Sequence, residues 1–206
     1  MASTYLNRTQ SAGNRKTFTI SAWVKRSALS TDSTILNSNT TSTTHDSLYF
    51  VNDTLSFFSY SGSFQCYLIT NRLFRDISAW YHIVVEVDTT QATSSDRVKI
   101  YVNGVQETSF STETYPSQNY DFILFNNSAR IEIGARKNSS DVVEKYFDGS
   151  MTHYHFIDGT AYDATAFGQF DANGVWTIKT SPSVTYGNNG FFILKDGNSV
   201  TDQSGN

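Results

Sequence analysis

Residues 18–25, Phe-Thr-Ile-Ser-Ala-Trp-Val-Lys, alternate with a period of two: Phe18, Ile20, Ala22 and Val24 share one face, and Thr19, Ser21, Trp23 and Lys25 share the other. Only a pleated strand sends successive side chains to opposite sides, so the segment reads as a strand with a core beneath one face. Comparable runs predict strands at 33–37, 47–51, 54–60, 63–69, 80–88, 97–102, 105–110, 130–134, 145–157 and 190–194. So many short strands at this spacing, with almost no helical periodicity, predict an all-β, two-sheet antiparallel jelly-roll sandwich.

Turn chemistry falls between these runs. Asn103-Gly104 has the positive-φ preference of a two-residue hairpin, and Asn52-Asp53 and Ser61-Gly62 separate other strand pairs. Polar stretches at 40–46, 89–96 and 112–119 read as rim loops. One helical turn is expected at 163–167, capped by Asp163 and ended by Gly168. A chain of 206 residues fits one sandwich domain spanning 1–206, in which 168–206, rich in Gly, Asn and aromatics, wraps as a C-terminal extension.

Composition removes several function classes. The formal net charge of −4 with interspersed signs supplies no basic face for a nucleic-acid backbone. No apolar run is long enough to span a bilayer and the N-terminus lacks a signal-peptide core, so a soluble protein without membrane insertion is expected. The lone Cys66 lies in an ordinary strand pattern and reads as a packed thiol.

The early Trp-bearing strand at 18–25, Trp80-Tyr81-His82, the strand entering Asn103-Gly104, Ile131-Glu132-Ile133-Gly134 and Phe147-Asp148-Gly149 occur in an order that resembles laminin-G-like members of the concanavalin A-like lectin/glucanase superfamily. The blocks at 156–163, 167–171, 174–179 and 186–192 are similar to a variety found in virion proteins of marine bacteriophages. That resemblance implies a virion location after synthesis in the host cytoplasm. It also implies a tail-fibre, appendage or capsid-decoration role, contacts with other virion subunits, homo-oligomers, and a place as the N-terminal module of a longer protein.

The superfamily also implies chemistry to test against the residues. Its glycoside hydrolases carry alternating carboxylates on one strand. Glu86-Val87-Asp88 is a near miss that continues to Gln91, a side chain unable to act as general acid, so a non-catalytic protein is expected. Relatives that hold Ca2+ make Asp148, Asp158 and Asp163 candidate ligands, although Thr152 and His153 stand where an acidic pair is common. His153 and His155, two apart on one strand, lack an evident third ligand for a transition metal. A host-surface glycan would need aromatic platforms with polar hydrogen-bonding groups, for which Trp23, Tyr60, Tyr67, Tyr101, Arg136 and Tyr154 are the candidates. The competing readings of those residues are core filling or subunit contact.

Overall fold

The computed structural model describes residues 4–41, 43–138, 140–197 and 199–206. In chain order its strands are β1 (Leu6–Thr9), β2 (Thr17–Arg26), β3 (Ser33–Thr41), β4 (Thr44–Val51), β5 (Thr54–Ser61) and β6 (Phe64–Thr70). There follow β7 (Tyr81–Asp88), β8 (Val98–Val102), β9 (Val105–Gln106), β10 (Phe110–Thr114), β11 (Arg130–Ile133), β12 (Arg136–Lys137) and β13 (Val143–Glu144). The last are β14 (Gly149–Asp158), β15 (Gly168–Phe170), β16 (Trp176–Ile178) and β17 (Phe191–Ile193). A seven-stranded sheet runs β1-β11-β3-β4-β5-β6-β10 and a six-stranded sheet runs β17-β14-β2-β7-β8-β9. Both are antiparallel and face each other, which is the expected all-β jelly-roll sandwich.

The inner faces follow the alternation. Phe18, Ile20, Ala22 and Val24 of β2 meet Leu48 and Phe50 of β4, Leu55 and Phe57 of β5, and Cys66 and Leu68 of β6 in one core. Cys66 is a buried free thiol, and burial pushes it far above the usual thiol range, so it has no nucleophilic thiolate to offer. Phe122 and Phe125 enter the same core from a loop, edge-on to Phe18 at 5.1 and 6.1 Å. The loop is held by the buried Asp46, whose carboxylate accepts from the Leu124 and Phe125 amides at 2.8 and 3.1 Å and from the Ser59 hydroxyl at 2.5 Å.

Both central turns are as the sequence predicts, with φ of 47° and 67° at Asn52 and Asp53 and of 49° and 80° at Asn103 and Gly104. Ala164–Ala166 forms a single 3-10 turn, and Asp163 caps it by accepting from the Thr165 amide. Two expected strands are corrected. The run at 105–110 divides, β9 staying in the six-stranded sheet while β10 crosses to pair with β6, as an edge strand does when the chain changes sheets. The run at 145–157 begins only at Gly149, because Lys145 has φ of 49° and a Cβ at Gly149 would stand 2.0 Å from the Lys25 carbonyl oxygen.

An ion pair secures the turn between β4 and β5. Arg26, 1% exposed, lies over the Phe50 ring at 4.7 Å, donates to the Phe74 carbonyl at 2.7 Å and meets Asp53 Oδ1 at 3.0 Å. Burial works to raise the Asp53 carboxyl, but the Ser30 amide, Arg26 and Arg75 outweigh it and hold Asp53 below the ordinary carboxylate range. Asp53→Asn should therefore cost about 3–5 kcal/mol in urea denaturation, because Arg26 stays buried without its counter-charge. A carboxyl depressed by folding stabilises above its unfolded pKa and ceases to as pH falls through the folded value. Wild type minus variant stability should accordingly be constant near neutrality and shrink below about pH 4.

Candidate functional site

A sandwich has two outer faces, and the strands alone do not decide which is open. In the six-stranded sheet Thr19, Ser21 and Trp23 point outward from β2, yet they are 0%, 0% and 7% exposed. Residues 160–192 lie over them. Ala164, Phe167, Tyr186 and Phe192 form a second cluster with the outward-facing Val84 and Ile157, and Trp176, Tyr101 and Tyr162 pack against it. The indole of Trp176 fits where glycines leave room, since a Cβ at Gly104 or Gly168 would come within 2.4 or 2.5 Å of its ring. Thr19 accepts from the Tyr162 amide and donates to the Thr160 carbonyl, both at 2.8 Å, so this buried polar row is satisfied.

Beneath the indole lies a serine and histidine pair that resembles catalytic machinery and is wired the opposite way. Trp176 Nε1 has only a proton to give, and it donates to His82 Nδ1 at 2.9 Å. The remaining proton must then sit on His82 Nε2 and be donated to Ser21 Oγ at 2.9 Å. A general base would need its lone pair on that nitrogen. Burial, with a smaller contribution from His153, pushes His82 down to about 3. His155 is likewise occupied, with Nδ1 3.0 Å from the Tyr186 hydroxyl and its ring stacked on Phe192 at 4.0 Å.

The outer face of the seven-stranded sheet has a different build. Opposite the inward Leu48, Phe50, Leu55 and Phe57, the outward positions pair as Asn39 with His45, Asn37 with Ser47, Thr34 with Tyr49, His45 with Tyr60, Ser47 with Phe58, and Phe58 with Tyr67. Small polar side chains form a floor between rings: Thr34, Asn37 and Ser56 are 0% exposed. The rings make a continuous platform. His45 lies 5.1 Å from both Phe58 and Tyr60, Tyr60 lies 5.0 Å from Phe64, and Phe64 stacks on Tyr67 at 4.0 Å, with Phe64 44% exposed.

The floor is short of hydrogen-bond partners. Thr34 Oγ1, Asn37 Oδ1, Asn39 Oδ1, His45 Nδ1 and Glu132 Oε1 are buried without a well-formed hydrogen bond, and Ser56 Oγ has only the Tyr49 hydroxyl across the strand pair. Glu132 approaches Arg130 at 3.0 Å as an ion pair off the hydrogen-bonding direction, and its other oxygen accepts from Asn37 Nδ2 at 3.4 Å. Burial, together with the charge of Arg136, pushes His45 down to about 4, so it is neutral at physiological pH. Arg136 thereby stands at the His45 and Tyr49 end of the platform.

Of the residues singled out for glycan contact, the fold brings Tyr60, Tyr67 and Arg136 to this one face. It withdraws the others. Tyr154 is 0% exposed in the core, because a bulge between Thr152 and His155 turns it inward, with His153 at φ of 46°. Trp23 lies under the C-terminal cover, stacked on His82 at 4.9 Å, and Tyr101 spends its hydroxyl on Glu86 Oε2 at 2.7 Å. His45, Tyr49, Phe64, Asn37 and Thr34 escaped the sequence reading, although the alternation opposite Leu48, Phe50, Leu55 and Phe57 marks their faces.

The three metal candidates are engaged separately. Asp158 accepts from the Asn14 and Asn189 amides at 2.7 and 3.1 Å, Asp163 caps its turn, and Asp148 is half-buried at the approach to β14. Among the described residues no group of three or more His, Cys, Asp or Glu converges to hold an ion. The near-miss carboxylates are engaged as well: Glu86 is bonded to Tyr101 and 3.7 Å from Lys99, while Asp88 accepts from Thr90 and Gln91. No helix among the described residues is long and apolar enough to cross a membrane.

The laminin-G model of the concanavalin A-like lectin/glucanases superfamily matches residues 2–165. The chain belongs to this family. Among solved structures it is similar to a heptameric SAP-like pentraxin from Limulus polyphemus, with 17% identity, TM-score 0.53, and coverage of 77% of this chain and 70% of that one. It is similar at TM-score 0.50 to domains LG4-5 of the mouse laminin alpha1 chain, with 12% identity over 78% of this chain and 42% of that one. It also resembles, at TM-score 0.50 and 17% identity over 78% of this chain and 37% of that one, a botulinum neurotoxin type C that depends on interaction with two ganglioside molecules to enter cells. No curated protein sequence matches.

Two adjoining cavities, about 410 and 460 Å³, open at the seam where β1 of this laminin-G-type sandwich approaches β17. Their shared walls are Leu6, Ile133 and Val200. The seam mixes these apolar walls with Asn7, Arg8, Asp202 and Ser150, whereas the outer face sets a continuous ring platform beside unbonded polar atoms, and we take the face as the site. The wiring of the covered face is checkable by long-range 1H–15N NMR. His82 should show a protonated Nε2 and a bare Nδ1, with no titration between about pH 8 and pH 4. Trp176→Phe should move its pKa up towards the ordinary histidine value of about 6.5.

Proposed function

We propose that this laminin-G-type sandwich is a non-catalytic glycan-binding module whose site is the outer face of β3 to β6. The observation that carries the reading is the platform of exposed Phe64 and half-buried Tyr67 and Tyr60 beside a buried polar floor with unmet hydrogen bonds. Sugars present C–H faces that stack on rings and hydroxyls that bond to amides and hydroxyls. The fold is one that a ganglioside-dependent toxin also uses, and that likeness lends support without specifying a sugar. Non-catalytic action is supported by the tautomer of His82 and by the engaged state of Glu86 and Asp88.

We further propose that the module serves in a bacteriophage virion, as tail fibre, appendage or capsid decoration, contacting other virion subunits and presenting the open face to host-surface glycan. The support is the similarity of the blocks at 156–163 and 186–192 to such proteins. Mass spectrometry of purified particles should detect the chain, and its absence would remove the location. The same exposed Phe64 favours one competing reading, burial of this platform against a neighbouring subunit.

Tyr67→Ala should weaken binding of an immobilised host glycan by about 0.5–1.5 kcal/mol in isothermal titration. Tyr101→Phe, on the other sheet, should leave binding unchanged. Equal losses in both variants, or none in either, would remove the platform from the site.

A further inference from the structure

Resting on the glycan-binding reading, we infer that this face selects neutral, hydroxyl-rich sugars and rejects carboxylated or sulfated ones. The reason lies in which half of each hydrogen bond is missing. Asn37 Oδ1 and Asn39 Oδ1 are acceptors without donors, in residues 0% and 8% exposed, and Glu132 Oε1 has only the off-direction ion pair with Arg130 at 3.0 Å. The orientation of Asn37 follows from its partner, since only the amide nitrogen can donate to Glu132 Oε2. Thr34 and Ser56 add hydroxyls that can act either way.

The rings cover these oxygens, so a sugar hydroxyl reaches them only as those rings turn aside, and it then supplies the proton that they lack. A carboxylate or sulfate brings only acceptors, and set against this floor it would leave oxygen facing oxygen in a water-poor place. Two donors, Arg130 Nε and Arg136 Nε, are also unbonded, but each is within ion-pair distance of a carboxylate, Glu132 at 3.0 Å and Glu144 at 3.7 Å. A hydroxyl oxygen can accept from either arginine without disturbing that pair. An anion would have to compete with the carboxylate.

The charge around the face points the same way. Arg130 pairs with Glu132, Arg136 with Glu144, Lys137 with Asp141, and Lys145 with Asp32 at 2.6 Å, so the cations of β11, the β12–β13 hairpin and the segment after it each have a counter-charge. His45, which could otherwise supply positive charge, is neutral in this setting. The ion pairs hold the side chains in place and weaken the field that would draw an anionic ligand, although the charge of Arg136 is still felt at His45.

The test uses the full chain on an array of neutral gluco-, galacto- and manno-oligosaccharides beside sialylated, uronic-acid and sulfated ones. Hits are followed by titration at about 50 and about 500 mM NaCl. Neutral sugars should bind, with affinity changing less than about twofold between the two salts, and charged analogues of the same backbone should bind at least about tenfold more weakly. Thr34→Val, which keeps shape and removes one floor hydroxyl, should weaken neutral binding while the melting temperature holds. Preference for charged sugars, lost in Tyr67→Ala, would overturn the selectivity and leave the glycan site standing. Binding of neither class, or binding indifferent to Tyr67→Ala, would overturn both.

Discussion

The covering of one sheet by the Trp176 indole is the contact on which the rest of the molecule depends. Its ring needs the missing Cβ atoms of Gly104 and Gly168, and its single N–H fixes the proton arrangement of His82 and through it Ser21. Burial of Thr19 and Ser21, polar residues on an outer face, becomes affordable because Thr19 bonds the backbone at 160 and 162 and Ser21 bonds His82, which Trp176 in turn holds. Trp23 Nε1, whose ring stacks on His82, and His153 Nε2, beside Phe192, stay unbonded.

That asymmetry makes the open face informative. Thr34, Asn37 and Ser56 are as deeply buried as Thr19 and Ser21, and both sets sit on the outward side of a sheet. The hydroxyls of the first set are bonded, whereas Thr34 Oγ1 and Asn37 Oδ1 are not. Folding has supplied a lid for the first face, whereas on the second the neighbouring rings exclude water from the floor without offering it hydrogen bonds. Unmet bonds beneath an exposed aromatic platform are what a surface shaped for a polar, stackable partner should show.

Much of this was legible in the sequence, and the limits have physical causes. Period-two alternation located the strands, and Asn52-Asp53 and Asn103-Gly104 announced their turns, because both signals are local. Tyr60, Tyr67 and Arg136 share one outer face, but nothing local says which outer face a later segment will cover. Trp23 and Tyr101 lie on the covered face for that reason. Tyr154 failed differently: a bulge of one residue inverts every inside-or-outside assignment that follows it, and alternation cannot see the bulge.

The bulge in β3 shows the same device used to build the site. Thr34 pairs with Tyr49 and Leu36 with Leu48, so Ile35 is the inserted residue, and it enters the core. Without the insertion, Thr34 and Leu36 would share a face, and the row Thr34, Asn37, Asn39 could not all lie outward. The extra residue permits a strand of consecutive buried positions to give its apolar members to the core and its polar ones to the groove. A separate shift between β5 and β6, where Ser59 pairs with Cys66 but Tyr60 with Phe64, puts Phe64 on the platform, so the floor and the rings of the open face each rest on a register shift that leaves the core beneath them packed.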